Sequence, residues 1–131
     1  PTGGVFWMDL KGPEHDPTTV EACWADLRKN WPDWDEALLQ DLAETLDMDK
    51  HRHKRLEMLS TGSRRKVMLI AALASGAAVT LLDQPFVSLD RISIRTILDF
   101  LAEAAEHTSR AWIVADYEVP TDVPLASVLN L

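Results

Sequence analysis

The sequence is poor in several features that would otherwise indicate a function directly. It contains a single cysteine, Cys23, so no disulfide can form within the chain, which fits a reducing cytosol. Lysine and arginine number 13 against 21 acidic residues. The resulting net charge of -8 argues against a basic surface that would neutralise the phosphates of DNA or RNA. We therefore expect no nucleic-acid partner.

Long apolar runs are also absent. The richest stretch, 67–82, is interrupted by Ser75, Gly76 and Thr80, and no run reaches the roughly 18–20 residues of a membrane span. No signal-peptide pattern precedes it. With 47% hydrophobic and 26% charged residues, the 131-residue chain has the composition of one globular domain or of a piece of one.

The first half of the chain predicts a short strand followed by a helical region. Residues 4–8 are apolar and lie between glycines and a polar loop, as expected for a strand. Thr18 and Glu21 have the spacing of a capping box at the start of one helix. Asp33 is a plausible cap for a second helix at about 35–46, which carries a stripe of leucines.

After Gly62 the pattern changes to alternating helices and strands. Residues 63–75 predict a buried helix, and the continuous apolar run 77–83 predicts the central strand of a parallel sheet that is covered on both faces. An amphipathic helix from Asp90 and a strand at 112–115 follow. Strands that alternate with helices indicate an α/β fold.

Two local features could carry chemistry. In LSTGS, residues 59–63, Ser60 is a natural N-cap and Gly62 lets backbone amides approach a ligand, while the following helix directs its positive end at that ligand. The buried strand delivers Asp83 to the sheet edge where ligands bind and where an acid commonly orients Mg²⁺ through water. Each feature alone also has an ordinary structural explanation, as a capped helix start or as an acid that closes a strand.

Together the two features resemble the signature, Walker B and D-loop block of the ATP-binding-cassette (ABC) ATPases. The family pattern is LSGGQ-x-QRV, an apolar helix, a hydrophobic strand, DEP and a later SLD; this chain has LSTGSRRKV, VTLLDQP and SLD at matching spacing. The resemblance covers essentially the whole chain, although residues 1–58 match only in layout. It implies a partial P-loop NTPase fold of the ABC type, with parallel strands flanked by helices and an α-helical subdomain.

The resemblance divides the chain into three parts of one truncated domain. Residues 1–17 would form the Q-loop strand and loop, 18–59 the helical subdomain, and 60–131 the signature helix, Walker B strand, D-loop and switch region. Asp83 would be the Walker B acid that binds Mg²⁺ through water, and Asp90 the D-loop aspartate. The signature loop of this family closes over the γ-phosphate of ATP held by a facing subunit. Here that loop would comprise Ser60, Thr61, Gly62 and Ser63.

Three basic residues follow the signature, and two interpretations of them stay open. They would either help to hold the phosphate or adenosine of the facing nucleotide or form a simple exposed helix start. They are Arg64, Arg65 and Lys66.

Several positions depart from the family pattern. Gln84 stands where the family has the glutamate that polarises the attacking water, and losing a general base typically costs about 10² to 10⁴ in rate. Tyr117 replaces the switch histidine and cannot hold a proton reversibly near pH 7. The Q-loop positions contain no glutamine and are Asp9, Leu10 and Lys11. A slow or non-hydrolytic site is therefore expected in the complete protein to which this chain would belong, unless Gln84 is an engineered substitution.

The phosphate-binding loop of the family, G-x-x-x-x-G-K-S/T, has no match in these residues. None of the five glycines stands before Lys-Ser or Lys-Thr. In the family that loop lies upstream of the Q-loop strand, and this chain opens on Pro1 directly before the apolar residues 4–8. We expect that upstream sequence has been removed, that ATP and Mg²⁺ bind only together with it, and that the 131 residues alone are inactive.

The leading functional hypothesis is an ATP-binding and ATP-hydrolysing subunit of an ABC transporter, in which nucleotide-driven dimer closure is coupled to membrane transport. The resemblance implies a second cassette, identical or different, and a transmembrane subunit as partners. It also implies a cytoplasmic location, peripheral on the inner face of the membrane. The short ending after Tyr117 resembles that of the haem-exporter ATPase.

The alternative hypothesis is a degenerate regulatory cassette whose signature loop completes the ATP site of a partner. A self-contained fold that only mimics the cassette is a third possibility.

Overall fold

The computed structural model describes residues 4–7, 13–104 and 111–115 of the chain. Helices and strands follow one another in the order β1 (Val5–Phe6), α1 (Val20–Asn30), α2 (Glu36–Thr45), α3 (Thr61–Ala74), β2 (Val79–Asp83), α4 (Arg91–Ala104) and β3 (Ala111–Ala115). Short 3₁₀ turns lie at Pro13–His15, Asp49–His51 and Leu56–Met58. No helix among the described residues is both long and apolar enough to cross a lipid bilayer.

The three strands form one parallel sheet with β2 in the centre, as predicted. Val79 of β2 is in register with Val5 of β1, and Leu82 of β2 is in register with Val114 of β3. Because parallel strands all end at the same edge, the sheet presents the last residue of β2, Asp83, at its carboxyl edge.

One face of the sheet is buried and the other is open. Phe6 and Leu82 belong to the core that also contains α3 and the inner face of α4, and Phe100 of α4 meets Trp112 of β3 edge to face at 5.9 Å. On the opposite face the side chains of Val5, Trp7 and Ile113 are 58%, 58% and 54% exposed. Val79 and Leu81 of β2, on this second face, are half-buried. Within the described residues β2 is therefore fully covered on one face only, and not on both as predicted.

Helix α3 is the centre of the molecule. Its residues 67–74 are all buried because the helix lies between β2 on one side and α1 and α2 on the other. Trp24 of α1 is fully buried, and its indole Nε1 donates to the carbonyl of Val67 at 3.2 Å. An apolar surface around the whole helix is what such a position requires, so the predicted burial of this segment is confirmed.

The caps of α1 and α2 differ from the sequence expectations. Thr19 and Asp35 cap these helices, and each side chain accepts a hydrogen bond from a backbone N–H three residues on, at 3.1 and 3.0 Å. Thr18 instead belongs to the preceding turn, where its carbonyl accepts a hydrogen bond from the Leu56 N–H. Asp33 lies in the α1–α2 loop, so the expectation that either Thr18 or Asp33 begins a helix was wrong.

The C-terminal end of α3 packs closely against the backbone of the α1–α2 loop. Gly76, just beyond the helix, has φ +72°, and a Cβ added there would lie 2.4 Å from the carbonyl oxygen of Asp33. Only glycine combines this left-handed conformation with such a close approach. Contact with Gly76 holds the α1–α2 loop against the C-terminal end of α3.

Candidate functional site

The tip of α3 is an exposed, capped helix start, as predicted. Ser60 has extended backbone angles, and its Oγ accepts a hydrogen bond from the Ser63 N–H at 3.1 Å. Ser60 and Thr61 are exposed, whereas Gly62 and Ser63 are half-buried. The N-terminal end of a 14-residue helix carries partial positive charge, which favours an anion at this tip.

The carboxyl end of β2 presents a second exposed group. Asp83 is exposed at the sheet edge, and the chain turns immediately after it. Gln84 has φ +46° and Ser88 has φ +65°, both in the left-handed region that residues other than glycine seldom adopt. The loop from 84 to 90 is thus bent sharply at two points beside the sheet edge.

A backbone contact joins the α3 tip to this loop. A Cβ built on Gly62 would lie 2.4 Å from the carbonyl oxygen of Ser88, a distance that real Cβ atoms do not reach. Glycine at this position therefore allows the two backbones to touch. The consequence is that the tip and the loop after Asp83 occupy one continuous surface.

The three basic residues behind the tip turn toward the protein. Arg64 pairs with Asp16 at 2.7 Å. Arg65 donates from Nη1 to backbone carbonyls of the loop after β2, and Lys66 donates to the carbonyl of Leu46 at 3.1 Å. Both sequence interpretations, phosphate binding and a simple exposed helix start, missed these contacts.

Asp90 caps α4 and also contacts α3. Its Oδ1 accepts a hydrogen bond from the Ser93 N–H at 2.7 Å, and its Oδ2 lies 3.3 Å from Lys66 Nζ. The hydrogen bonds from Ser93, the backbone one first, together with Lys66 lower the pKa of Asp90 from 3.8 to about 2. The carboxylate is therefore charged throughout the neutral range.

The described residues contain no group of three or more histidines, cysteines or acids that could hold a metal ion. At the end of β2, Asp83 supplies one exposed carboxylate. Mg²⁺ is usually held by one or two carboxylates together with substrate phosphates and water. A single carboxylate at this position fits an ion that arrives with a nucleotide.

Two parts of the predicted site lie outside the described residues. They are the Q-loop positions Asp9, Leu10 and Lys11 and the switch position Tyr117. Their assigned roles stay predictions.

Comparisons with known proteins place these residues in a wider context. The family model described as "ABC transporter" matches residues 9–87. A phosphonates import ATP-binding protein of Rhodopseudomonas palustris (strain BisB18) is 32% identical over 84 residues, which cover 64% of this chain and 31% of that protein. A taurine import ATP-binding protein of Pseudomonas fluorescens is 27% identical over 129 residues, which cover 98% of this chain and 49% of that protein. The chain thus spans about a third to a half of the length of these relatives.

Solved structures show the same fold at lower identity. An ATP-binding subunit of an ABC transporter superposes with a TM-score of 0.67 at 18% identity, covering 78% of this chain and 44% of that one. A dimeric bacterial ABC transporter cassette gives 0.63 at 18% identity, covering 80% and 49%. The predicted fold, part of a P-loop NTPase of this type with parallel strands flanked by helices, is confirmed.

Proposed function

This chain belongs to the ABC transporter family, and from that membership and its geometry we propose that it is part of the ATP-binding subunit of an ABC transporter. In this proposal the tip of α3, Ser60 to Ser63, completes an ATP site whose remaining groups belong to a facing cassette. Asp83 acts, through Mg²⁺ and water, on the nucleotide bound by its own cassette.

The observation that carries the proposal is the continuous surface made by the α3 tip and the end of β2. Ser60 and Asp83 are both exposed, and the Gly62–Ser88 contact holds the tip against the loop that follows Asp83. The Ser60 hydroxyl accepts a hydrogen bond from Ser63 but keeps its own O–H to donate. That donor and the helix end together suit a phosphate oxygen.

ATP and Mg²⁺ are the ligands that this arrangement fits. Asp83 would hold Mg²⁺ through water, and the ion when bound offsets the negative charge of the phosphates. The amides and lysine of a phosphate-binding loop are also needed. No such motif lies in the 131 residues, so the proposal requires that another segment or chain supplies it.

The partners follow from the same proposal. A second cassette, identical or different, faces the α3 tip. A transmembrane subunit is coupled to the closure of this dimer. The two relatives are ATP-binding proteins of phosphonates import and of taurine import, which favours an importer. The subunit would lie in the cytoplasm, peripheral on the inner face of the membrane.

The regulatory cassette is the second candidate, and Gln84 favours it. A glutamine beside Asp83 keeps the shape of glutamate but cannot accept a proton from water, so hydrolysis at this chain's own site would be slow. In a complete cassette that contains this chain, Gln84→Glu should raise turnover by about 10² or more if the side chain is the only defect. Vigorous turnover by the unsubstituted cassette on its own would rule out the regulatory role.

Two substitutions of matched shape test the proposed role of Ser60. Aspartate and asparagine both cap helices well and differ mainly in charge. We expect the chain to stimulate ATP hydrolysis by a family member that carries the phosphate-binding loop, and Ser60→Asn should keep most of this stimulation. Like charges about 4 Å apart near a protein surface repel by about 4 kcal/mol, so Ser60→Asp should weaken the apparent affinity more than about tenfold. Equal stimulation by the two variants would refute contact between the α3 tip and phosphate.

A further inference from the structure

Arg65 connects the α3 tip to the turn that follows Asp83. Its Nη1 donates to the carbonyl of Gln84 at 2.8 Å and lies 3.3 Å from the carbonyl of Asp83. Both acceptors are backbone oxygens on the two residues at the corner of the turn. The guanidinium therefore fixes the path of the main chain there, which an ion pair with a side chain would not do.

The turn at Gln84 needs such a restraint. Its φ of +46° lies in the left-handed region, where a side chain with a Cβ crowds its own carbonyl. A residue stays in this region only when surrounding contacts hold it. The Gln84 carbonyl accepts from the Val87 N–H at 3.3 Å, a longer hydrogen bond than the 2.8 Å one from Arg65.

Position along α3 makes the restraint specific to the site. Gly62 and Arg65 are three residues apart and so lie on the same face of the helix. Gly62 touches the backbone of Ser88, and Arg65 holds that of Gln84. Residues 62–65 of α3 therefore support both left-handed residues of the loop, each through a different contact.

We propose that Arg65 is a positioning residue that keeps the backbone of Gln84 in its left-handed conformation and so sets the direction of the side chain at position 84. The importance of that direction for ATP chemistry rests on the function proposed above. The conformational claim itself does not. Arg65 thereby links the geometry at position 84 of this chain's own site to α3, the helix whose tip faces a partner in the proposed function.

Nuclear magnetic resonance of the full 131-residue chain tests this claim without nucleotide. At positive φ the amide and α protons of one residue lie close together, so Gln84 should show a strong intraresidue NOE. Lysine and methionine both have flexible, unbranched side chains, but only lysine ends in a hydrogen-bond donor, which reaches nearly as far as the guanidinium of arginine. Arg65→Lys should keep the strong NOE at Gln84, and Arg65→Met should lose it.

Ser88 is the internal control in the same spectra. Its φ of +65° is supported by Gly62, so its NOE should stay strong in both Arg65 variants. A second control, Arg55→Met, removes an exposed arginine that pairs with Glu57 and should leave Gln84 unchanged. Equal NOE intensity at Gln84 in the two Arg65 variants, whether kept or lost, would overturn the proposal.

A measurement on the unsubstituted chain covers the case in which Arg65→Met does not fold. Because two carbonyls hold Nη1, rotation of the Arg65 guanidinium group should be slow, and its Nη protons should give resolved signals. Fast rotation would contradict the proposal. Failure of the ATP assays together with slow rotation would reject the transporter role alone and leave the positioning role standing.

Discussion

At the scale of single residues, the site depends on one missing side chain. Gly62 brings the backbone of α3 against the Ser88 carbonyl. A glycine early in a helix is normally a small loss of stability. Here it is the condition for the contact between the helix tip and the loop beyond β2.

Gly62→Ala should therefore destabilise the fold even though alanine favours helices. The new Cβ would stand 2.4 Å from the Ser88 oxygen, and relieving such overpacking typically costs about 1–3 kcal/mol. The gain in helix propensity, up to about 1 kcal/mol, offsets part of that cost. Urea denaturation measures the net change, and Thr61→Ala at the exposed neighbouring position is the control. A Gly62→Ala variant more stable than the parent, as helix propensity alone predicts, would contradict the contact.

Some residue roles could be predicted from the sequence and others could not. The cap by Ser60 was predictable because a serine three residues before Ser63 has the local spacing of an N-cap. Thr18 and Thr19 offered the same local chemistry, and contact with the distant Leu56 decided between them. The role of Arg65 depends on a loop 19 residues further along the chain, which no local pattern indicates.

At the scale of elements, α4 begins at a charged cap that also contacts α3. Asp90 accepts the Ser93 N–H and lies beside Lys66. The cap therefore stabilises its own helix and joins that helix to the one that carries the tip. Sequence periodicity predicted both helices, but the contact between them follows from their packing on the same face of the sheet.

The pKa of Asp90 predicts how this cap responds to acid. Because the pKa is about 2 in the folded chain against an ordinary 3.8, the carboxylate contributes stability in full above about pH 4. That contribution is lost as the pH falls from about 4 toward 2. Asp90→Asn keeps a capping side chain but cannot titrate, so its unfolding free energy should fall less steeply across this range.

The size of the effect is modest because the Asp90 side chain is 59% exposed and solvent screens its charge. Urea denaturation at several pH values between 2 and 5 measures it. Asp41→Asn, at an exposed acid of α2, controls for the loss of one carboxylate. Parallel curves for the parent and Asp90→Asn would show that the hydrogen bonds at this cap do not favour the charged form.

At the scale of the whole molecule, the open face of the sheet was the main departure from expectation. The apolar run of β2 predicted cover on both faces, since parallel sheets are normally buried on both sides. Within the described residues α3 and α4 cover one face, while Val5, Trp7 and Ile113 are exposed on the other. The sequence indicated correctly what kind of strand β2 is, but it could not show whether these 131 residues contain the second cover.

The arrangement of the whole molecule also bears on the role of the α3 tip. The α3 tip is capped, exposed and held at the edge of the sheet. It can bind a nucleotide only if the remaining phosphate ligands come from outside these 131 residues. The proposed function therefore places this tip in a site shared between two molecules.

Sedimentation equilibrium of the chain with a family member that carries the phosphate-binding loop tests this claim most directly. The partner should be a variant that binds ATP without hydrolysing it, and the mixture should be measured with Mg-ATP, with Mg-ADP and without nucleotide. We predict a one-to-one complex with Mg-ATP that is at least about tenfold weaker in the other two conditions. Association of the same strength in all three conditions, or none in any, would contradict the account.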